Sequence, residues 1–132
     1  RLGARLLTAG HLMHSGDAAP RVKVGTSVRE AIRVMNDARL GMTCVVEADG
    51  TLAGIITDGD LRRAVGGGVD LQSLRVEDLM TRSPVTIPRQ ELAARALNLL
   101  EARKITSLVV VDDRRRVEGV LHLHDLWRTQ LF

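Results

Sequence analysis

Hydrophobic and polar positions follow two periods along this chain, and the same order of periods occurs twice. A short β-prone run, Val22-Lys23-Val24, opens the first pass. Val28, Ala31, Ile32 and Met35 then recur at helical spacing and share one helix face. Ser27 and Glu30 form a capping-box signature at its start, each side chain placed to satisfy the other's main-chain N–H. Two β-branched runs follow, Thr43-Cys44-Val45-Val46 and Gly54-Ile55-Ile56-Thr57, joined by a turn at Asp49-Gly50. A last helix starts near Asp58. The second pass reads Val85-Thr86-Ile87, then the helical set Leu92, Ala93, Ala96, Leu97 and Leu100. Ser107 to Val111 and Gly119 to Leu121 are its β-branched runs, with a turn over Asp112 to Arg116 and a final helix near His124. The predicted order is β-α-β-β-α, twice, which is an α/β fold.

The matching positions keep their spacing. Gly54 precedes Gly119 by the same offset that separates Asp60 from Asp125, and Met13 precedes Met80 by nearly the same one. A fixed offset across several blocks is the mark of a duplicated unit. A half of about 55 residues is marginal alone, so two copies sharing a core as a pseudo-twofold pair are expected. A cleft between such halves is the expected place for a ligand. Gly66-Gly67-Gly68 reads as the flexible joint between them.

Composition narrows the function. The 132 residues carry 19 Lys+Arg and 16 Asp+Glu, a net charge of +3. The cations are scattered except Arg114-Arg115-Arg116, which falls in the expected turn, and the only aromatics are Trp127 and Phe132. No stacking platform or arginine-rich arm is present, so nucleic acid is not an expected partner. No apolar run reaches membrane-spanning length, so neither is a membrane. The single cysteine, Cys44, allows no internal disulfide and falls in an expected core strand. A cytoplasmic location is expected. The start lacks the order of a signal peptide and an initiator Met, which suggests a piece of a longer chain. Four histidines, at 11, 14, 122 and 124, have no thiolate partner or HExxH spacing, so no metal site is expected.

Gly54-Ile55-Ile56-Thr57-Asp58-Gly59-Asp60, matched by Gly119-Val120-Leu121-His122-Leu123-His124-Asp125, resembles the signature of CBS domains. The chain is identified as a tandem CBS pair over about Leu12 to Arg128. Leu12-Met13-His14-Ser15-Gly16-Asp17, Leu40-Gly41-Met42-Thr43 and Thr57 to Arg63 are similar to the C-terminal CBS pair of bacterial arabinose-5-phosphate isomerases, as are Glu77-Asp78-Leu79-Met80-Thr81 and Ala96 to Leu100. The resemblance implies a linker over 1–11 from an isomerase domain absent here, a first repeat over 12–68 and a second over 69–132. It implies that the parent interconverts ribulose 5-phosphate and arabinose 5-phosphate for Kdo and lipopolysaccharide synthesis. This segment alone is expected to be no enzyme and to require no cofactor.

In CBS proteins the positions of Thr57 and Asp60 contact a nucleotide's phosphate and ribose. A strand end that opens a helix offers free N–H groups to an anion, although Thr-x-x-Asp also makes a simple cap. His122 and Asp125 fill these places in the second half, where His122 replaces the usual Thr or Ser. Arg63 is assigned to an anionic ligand group and Arg62 to the surface. Met42, Thr43, Thr106 and Ser107 begin the second strand of each half, an edge that contacts a base in CBS folds. The expected ligand is a small anionic effector, an adenine nucleotide (AMP or ATP) or CMP-Kdo. The alternative is a ligand-free module that holds a homodimer or larger homo-oligomer of the isomerase together.

Overall fold

A computed structural model describes residues 6–129. In chain order the elements are α1 (Ala9–Leu12), β1 (His14–Ser15), β2 (Arg21–Lys23), α2 (Val28–Ala38), β3 (Met42–Val46), β4 (Leu52–Thr57) and α3 (Asp58–Gly66). Then come α4 (Val76–Leu79), β5 (Thr81–Arg82), β6 (Thr86–Ile87), α5 (Ala93–Arg103), β7 (Ser107–Val111), β8 (Val117–His122) and α6 (Leu123–Trp127). The doubled β-α-β-β-α order is present as β2-α2-β3-β4-α3 and β6-α5-β7-β8-α6. Each copy also gains a short helix and strand ahead of it, α1-β1 and α4-β5.

Those additions are exchanged. Among the described residues, unit 1 comprises 6–17 and 85–129, and unit 2 comprises 18–84. Unit 1 holds a sheet of order β1-β8-β7-β6, and unit 2 one of order β2-β3-β4-β5. The folding units therefore cut the chain differently from repeats at 12–68 and 69–132. Residues 14–15 pair antiparallel with β8, and 81–82 pair antiparallel with β4. The glycine run lies inside unit 2, away from the seam at 84/85. Gly66 ends α3 and Gly68 adopts φ +82, a left-handed turn that glycine takes without strain. Residues 9–11, expected as linker, lie in α1 instead; Ala9 is fully buried and its N–H donates to the Glu91 carbonyl at 2.8 Å. Residues 1–5 of that stretch lie outside the described residues.

The exchange explains the signature glycines. A Cβ on Gly54 would lie 2.6 Å from the Thr81 carbonyl oxygen, and one on Gly119 would lie 2.6 Å from Met13 Sδ and 2.7 Å from the His14 carbonyl oxygen. Only a bare α-carbon lets the incoming segment cross at that distance.

Each unit has its own core. In unit 1, Ala96, Leu97 and Leu100 of α5 pack with Leu108, Val110, Leu121 and Leu126. In unit 2, Ala31 and Met35 of α2 pack with Val22, Val45, Ile56 and Val76. Leu92, expected on the buried face of α5, is instead its exposed N-cap. α2 starts where Ser27 Oγ accepts the Glu30 N–H at 3.1 Å, the expected cap. It stops at Arg39, left-handed at φ 59, and α5 stops at Lys104, φ 55. The arginine triplet lies in a turn closed by Asp112, whose carboxylate accepts the N–H groups of Arg114 and Arg116 at 2.9 Å each.

Candidate functional site

Within each unit, the C-terminal end of the fourth or eighth strand runs straight into a helix, and the candidate residues cluster there. In unit 2, β3 and β4 place Met42 opposite Thr57 and Thr43 opposite Ile56. Thr57 caps α3: its Oγ1 accepts the Asp60 N–H at 3.2 Å, and its own N–H donates to Asp60 Oδ2 at 2.9 Å. The Asp60 carboxylate is buried and also receives Arg63 Nη2 at 2.6 Å and the Thr81 hydroxyl at 3.3 Å. Thr81 arrives on β5, the exchanged strand. Arg63 has a side chain 74% exposed, tethered to Asp60 at one nitrogen and lying over Gly59, whose Cβ would meet Nη1 at 3.3 Å.

Unit 1 repeats this arrangement with different donors. Asp125, also buried, receives the His122 N–H at Oδ2 (2.7 Å), His14 Nε2 at Oδ1 (2.8 Å) and Arg128 Nη2 at Oδ1. His122 caps α6, its Nδ1 accepting the His124 N–H at 3.1 Å. The donor is a main-chain N–H, so Nδ1 holds the lone pair and the neutral ring carries its proton on Nε2. Burial, with His124 adding to it, holds this imidazole below its usual range, against the opposing pull of Asp125. The His122 and His124 rings meet edge to face at 4.8 Å between centroids, and His124 and the exposed Trp127 at 5.3 Å.

Of the predicted residues, Thr57, Asp60 and Arg63 come together, and so do His122 and Asp125. Ser107 lies opposite His122 in the β7–β8 register, and the Thr106 carbonyl accepts the Leu123 N–H at 2.8 Å. Thr106 itself is exposed. Met42 and Thr43 are fully sealed, at 1% and 0% exposure, and the Thr43 hydroxyl donates to the Cys44 carbonyl at 3.1 Å. Both belong to a strand buried throughout, so in this conformation neither meets solvent. Ser107 differs: its Oγ is buried and has no hydrogen-bond partner among the described residues.

His14, Thr81 and Arg128 join the candidate site through Asp125 and Asp60, and sequence reasoning missed them. Arg128 follows Arg63 by the same offset that separates Asp125 from Asp60, so the repeat alone points to it. No local signal marks His14 or Thr81, because strand exchange brings them in.

Cys44 is fully buried, and burial pushes its thiol up to about 12. The described residues hold no group of three or more His, Cys, Asp and Glu side chains that could bind a metal ion, and no helix long and apolar enough to cross a membrane. A groove of about 500 Å³ lies at the other end of the unit 1 sheet, beside Arg89, Asp112 and Glu118. Of its lining charges, Arg89 is engaged with Glu118 at 3.5 Å and Asp112 with Arg116 at 3.0 Å.

The CBS domain family model matches residues 9–67 and 76–126. The chain is 45% identical over 128 residues to the arabinose 5-phosphate isomerase KdsD of Pseudomonas aeruginosa, covering 96% of this chain and 39% of that protein. It is 42% identical to KdsD of Escherichia coli, covering 93% and 37%. The chain thus spans under two-fifths of these relatives. Among solved structures, the CBS domain pair of protein MJ0100, in complex with 5-methylthioadenosine and S-adenosyl-L-methionine, matches with a TM-score of 0.84 at 23% identity, over 95% of this chain and 96% of that one. CBSX2 in complex with AMP matches with a TM-score of 0.80 at 27% identity, over 94% and 96%.

Proposed function

This chain belongs to the CBS domain family, and from that premise we propose that it is a regulatory module binding a small anionic, nucleotide-type effector at the strand ends of its units. The observation that carries this reading is Ser107. A buried hydroxyl without a partner costs about 1–3 kcal/mol, and a ligand atom that hydrogen-bonds it removes that cost. Folding does not require a hydroxyl at this position, because Met42 stands at the equivalent place in unit 2. His122 Nε2–H lies across the strand pair as a donor, and the guanidinium of Arg128, its side chain 70% exposed, presents further donors to an anion. In unit 2 we assign Thr57, Asp60 and Arg63 to the ligand, with Thr43 and Met42 beneath them; in unit 1, Thr106, Ser107, His122 and Asp125.

The AMP complex of CBSX2 favours an adenine nucleotide. The likeness to arabinose 5-phosphate isomerases favours a sharper candidate, CMP-Kdo, the activated end product of the pathway that such an isomerase feeds. On this reading the module acts on an isomerase domain elsewhere in the full-length protein, in the cytoplasm, within a homo-oligomer. An effector does so only by binding two conformations unequally.

One observation favours the assembly reading. Both carboxylates, Asp60 and Asp125, are already hydrogen-bonded within their own units, as a purely structural cap requires. Thermal unfolding with CMP-Kdo, AMP or ATP separates the two. At about 100 times its dissociation constant a ligand adds about 2.7 kcal/mol, which raises the midpoint by several degrees. Ser107→Ala should reduce that rise without lowering the unliganded midpoint. No rise with any of the three ligands would leave the assembly role.

A further inference from the structure

All four histidines, 11, 14, 122 and 124, lie in unit 1, and the sequence of unit 2 contains none. Three of them take up positions that unit 2 fills with oxygen groups. His122, the cap of α6, corresponds to Thr57, the cap of α3. His14 on Asp125 corresponds to Thr81 on Asp60. His11 Nδ1 accepts the Thr8 N–H at 3.1 Å at the start of α1, where Asp78 Oδ2 accepts the Arg75 N–H at 2.9 Å at the start of α4. A duplicated fold thus supplies its own control: matched positions at the helix starts carry imidazoles in one unit and oxygen groups in the other, although His122 accepts the N–H two residues on and Thr57 the N–H three residues on.

The two chemistries differ in one respect. A hydroxyl or carboxyl oxygen keeps a lone pair across the mildly acidic range, whereas an imidazole Nδ1 accepts a main-chain N–H only while neutral. We propose that unit 1 is built as a proton-responsive element, in which protonation of His11 and His122 uncaps α1 and α6 and crowds cations around the single carboxylate Asp125, while unit 2 does not respond. The groups facing His122 are His124 and Asp125 on α6, Arg128 just after it and His14 on β1. Once the His122 imidazole is charged, it adds a cation near a carboxylate that already receives His14 and Arg128, where Asp60 faces Arg63 alone. Around His11, the segment preceding α5 brings Arg89 and Glu91 through their carbonyls.

The lowered range of His122 agrees in sign. A histidine that is harder to protonate folded than unfolded contributes its full stability above the unfolded imidazole range and loses it as pH falls through its folded value. Unit 1 therefore loosens on acidification. None of this requires a bound ligand.

The test is amide hydrogen exchange of the whole chain at about pH 7.5 and about pH 5, corrected for intrinsic exchange, with Trp127 fluorescence in parallel. The reference variant carries the counterparts from the second unit at all three sites, His11→Asp, His14→Thr and His122→Thr, and each single variant guards against a triple that fails to fold. We expect acid to cut the protection of α1 and α6 several-fold and to shift Trp127 emission, while α3 and α4 hold theirs. In the variants this pH response should shrink with each substitution. An equal acid response in α3 and α4, no response in wild type, or an unchanged response in the substituted chains would overturn the proposal.

Discussion

Units 1 and 2 solve one problem with two sets of side chains. Each buries an aspartate at the N-terminus of a helix and must give its oxygens donors. Unit 2 uses the Thr57 N–H and hydroxyl, the Thr81 hydroxyl and Arg63; unit 1 uses the His122 N–H, His14 and Arg128. The β3–β4 and β7–β8 ladders match between them, although α3 runs for nine residues and α6 for five. At the repeat offset the main-chain bonds recur position by position, down to the irregular register at Val45/Val46 and at Val110/Val111. Local fold is therefore indifferent to whether the cap is a hydroxyl or an imidazole, and the difference is left to chemistry. The chain also carries one reporter in each unit, Cys44 in unit 2 and Trp127 in unit 1.

The harshest test of the equivalence is at the signature glycines. Gly119→Ala and Gly54→Ala each drive a methyl group to 2.6 Å from its nearest neighbour. Overpacking of this kind should cost about 3 kcal/mol in denaturant unfolding. Gly119→Ala should displace β1 and change Trp127 emission first; Gly54→Ala should displace β5 and expose Cys44 first. Cys44 is a clean reporter because its buried thiol, pushed up to about 12, resists alkylation at mildly alkaline pH until unit 2 opens. Rapid alkylation of the native chain would show that β3 is not a sealed strand.

Removing the buried carboxylates should cost less, about 1–2 kcal/mol each, the loss of a helix cap. Asp125→Ala should cost more than Asp60→Ala, because it also releases His14 from a 2.8 Å bond, whereas Thr81 sits at 3.3–3.4 Å. Equal losses by chemical denaturation would mean that His14 contributes nothing at neutral pH.

The smallest expected change is a gain. Arg39 and Lys104 end their helices at φ 59 and φ 55, a conformation that costs a side-chain-bearing residue. Arg39→Gly and Lys104→Gly should each raise stability by about 0.5–1 kcal/mol, read as a higher denaturation midpoint. If only one does so, the paired helix ends are not energetically equivalent.

The duplication, the element order, the Ser27 cap and the Arg114–Arg116 turn were all legible in the residues, because each depends on contacts within a few positions. Thr57 with Asp60 and His122 with Asp125 were legible for the same reason: a cap spans only a single turn of chain. The fate of Thr43 was not. Its place at a strand edge pointed to a ligand contact, and only packing revealed that β3 is covered throughout. The Gly66–Gly68 run looked like a seam because glycines punctuate chains, yet it ends α3 and the chain continues within unit 2.

Sequence by itself determined the two repeats, the β-α-β-β-α order of each and the chemical identity of each cap, because these follow from local spacing and propensity. Tertiary structure alone decided which segment completes which sheet. It sent β1 to β8 and β5 to β4, so His14 meets Asp125 across 111 positions of chain and Thr81 meets Asp60 across 21. The physical reason is that strand pairing is chosen by register and by room over Gly54 and Gly119, which no short stretch of chain encodes.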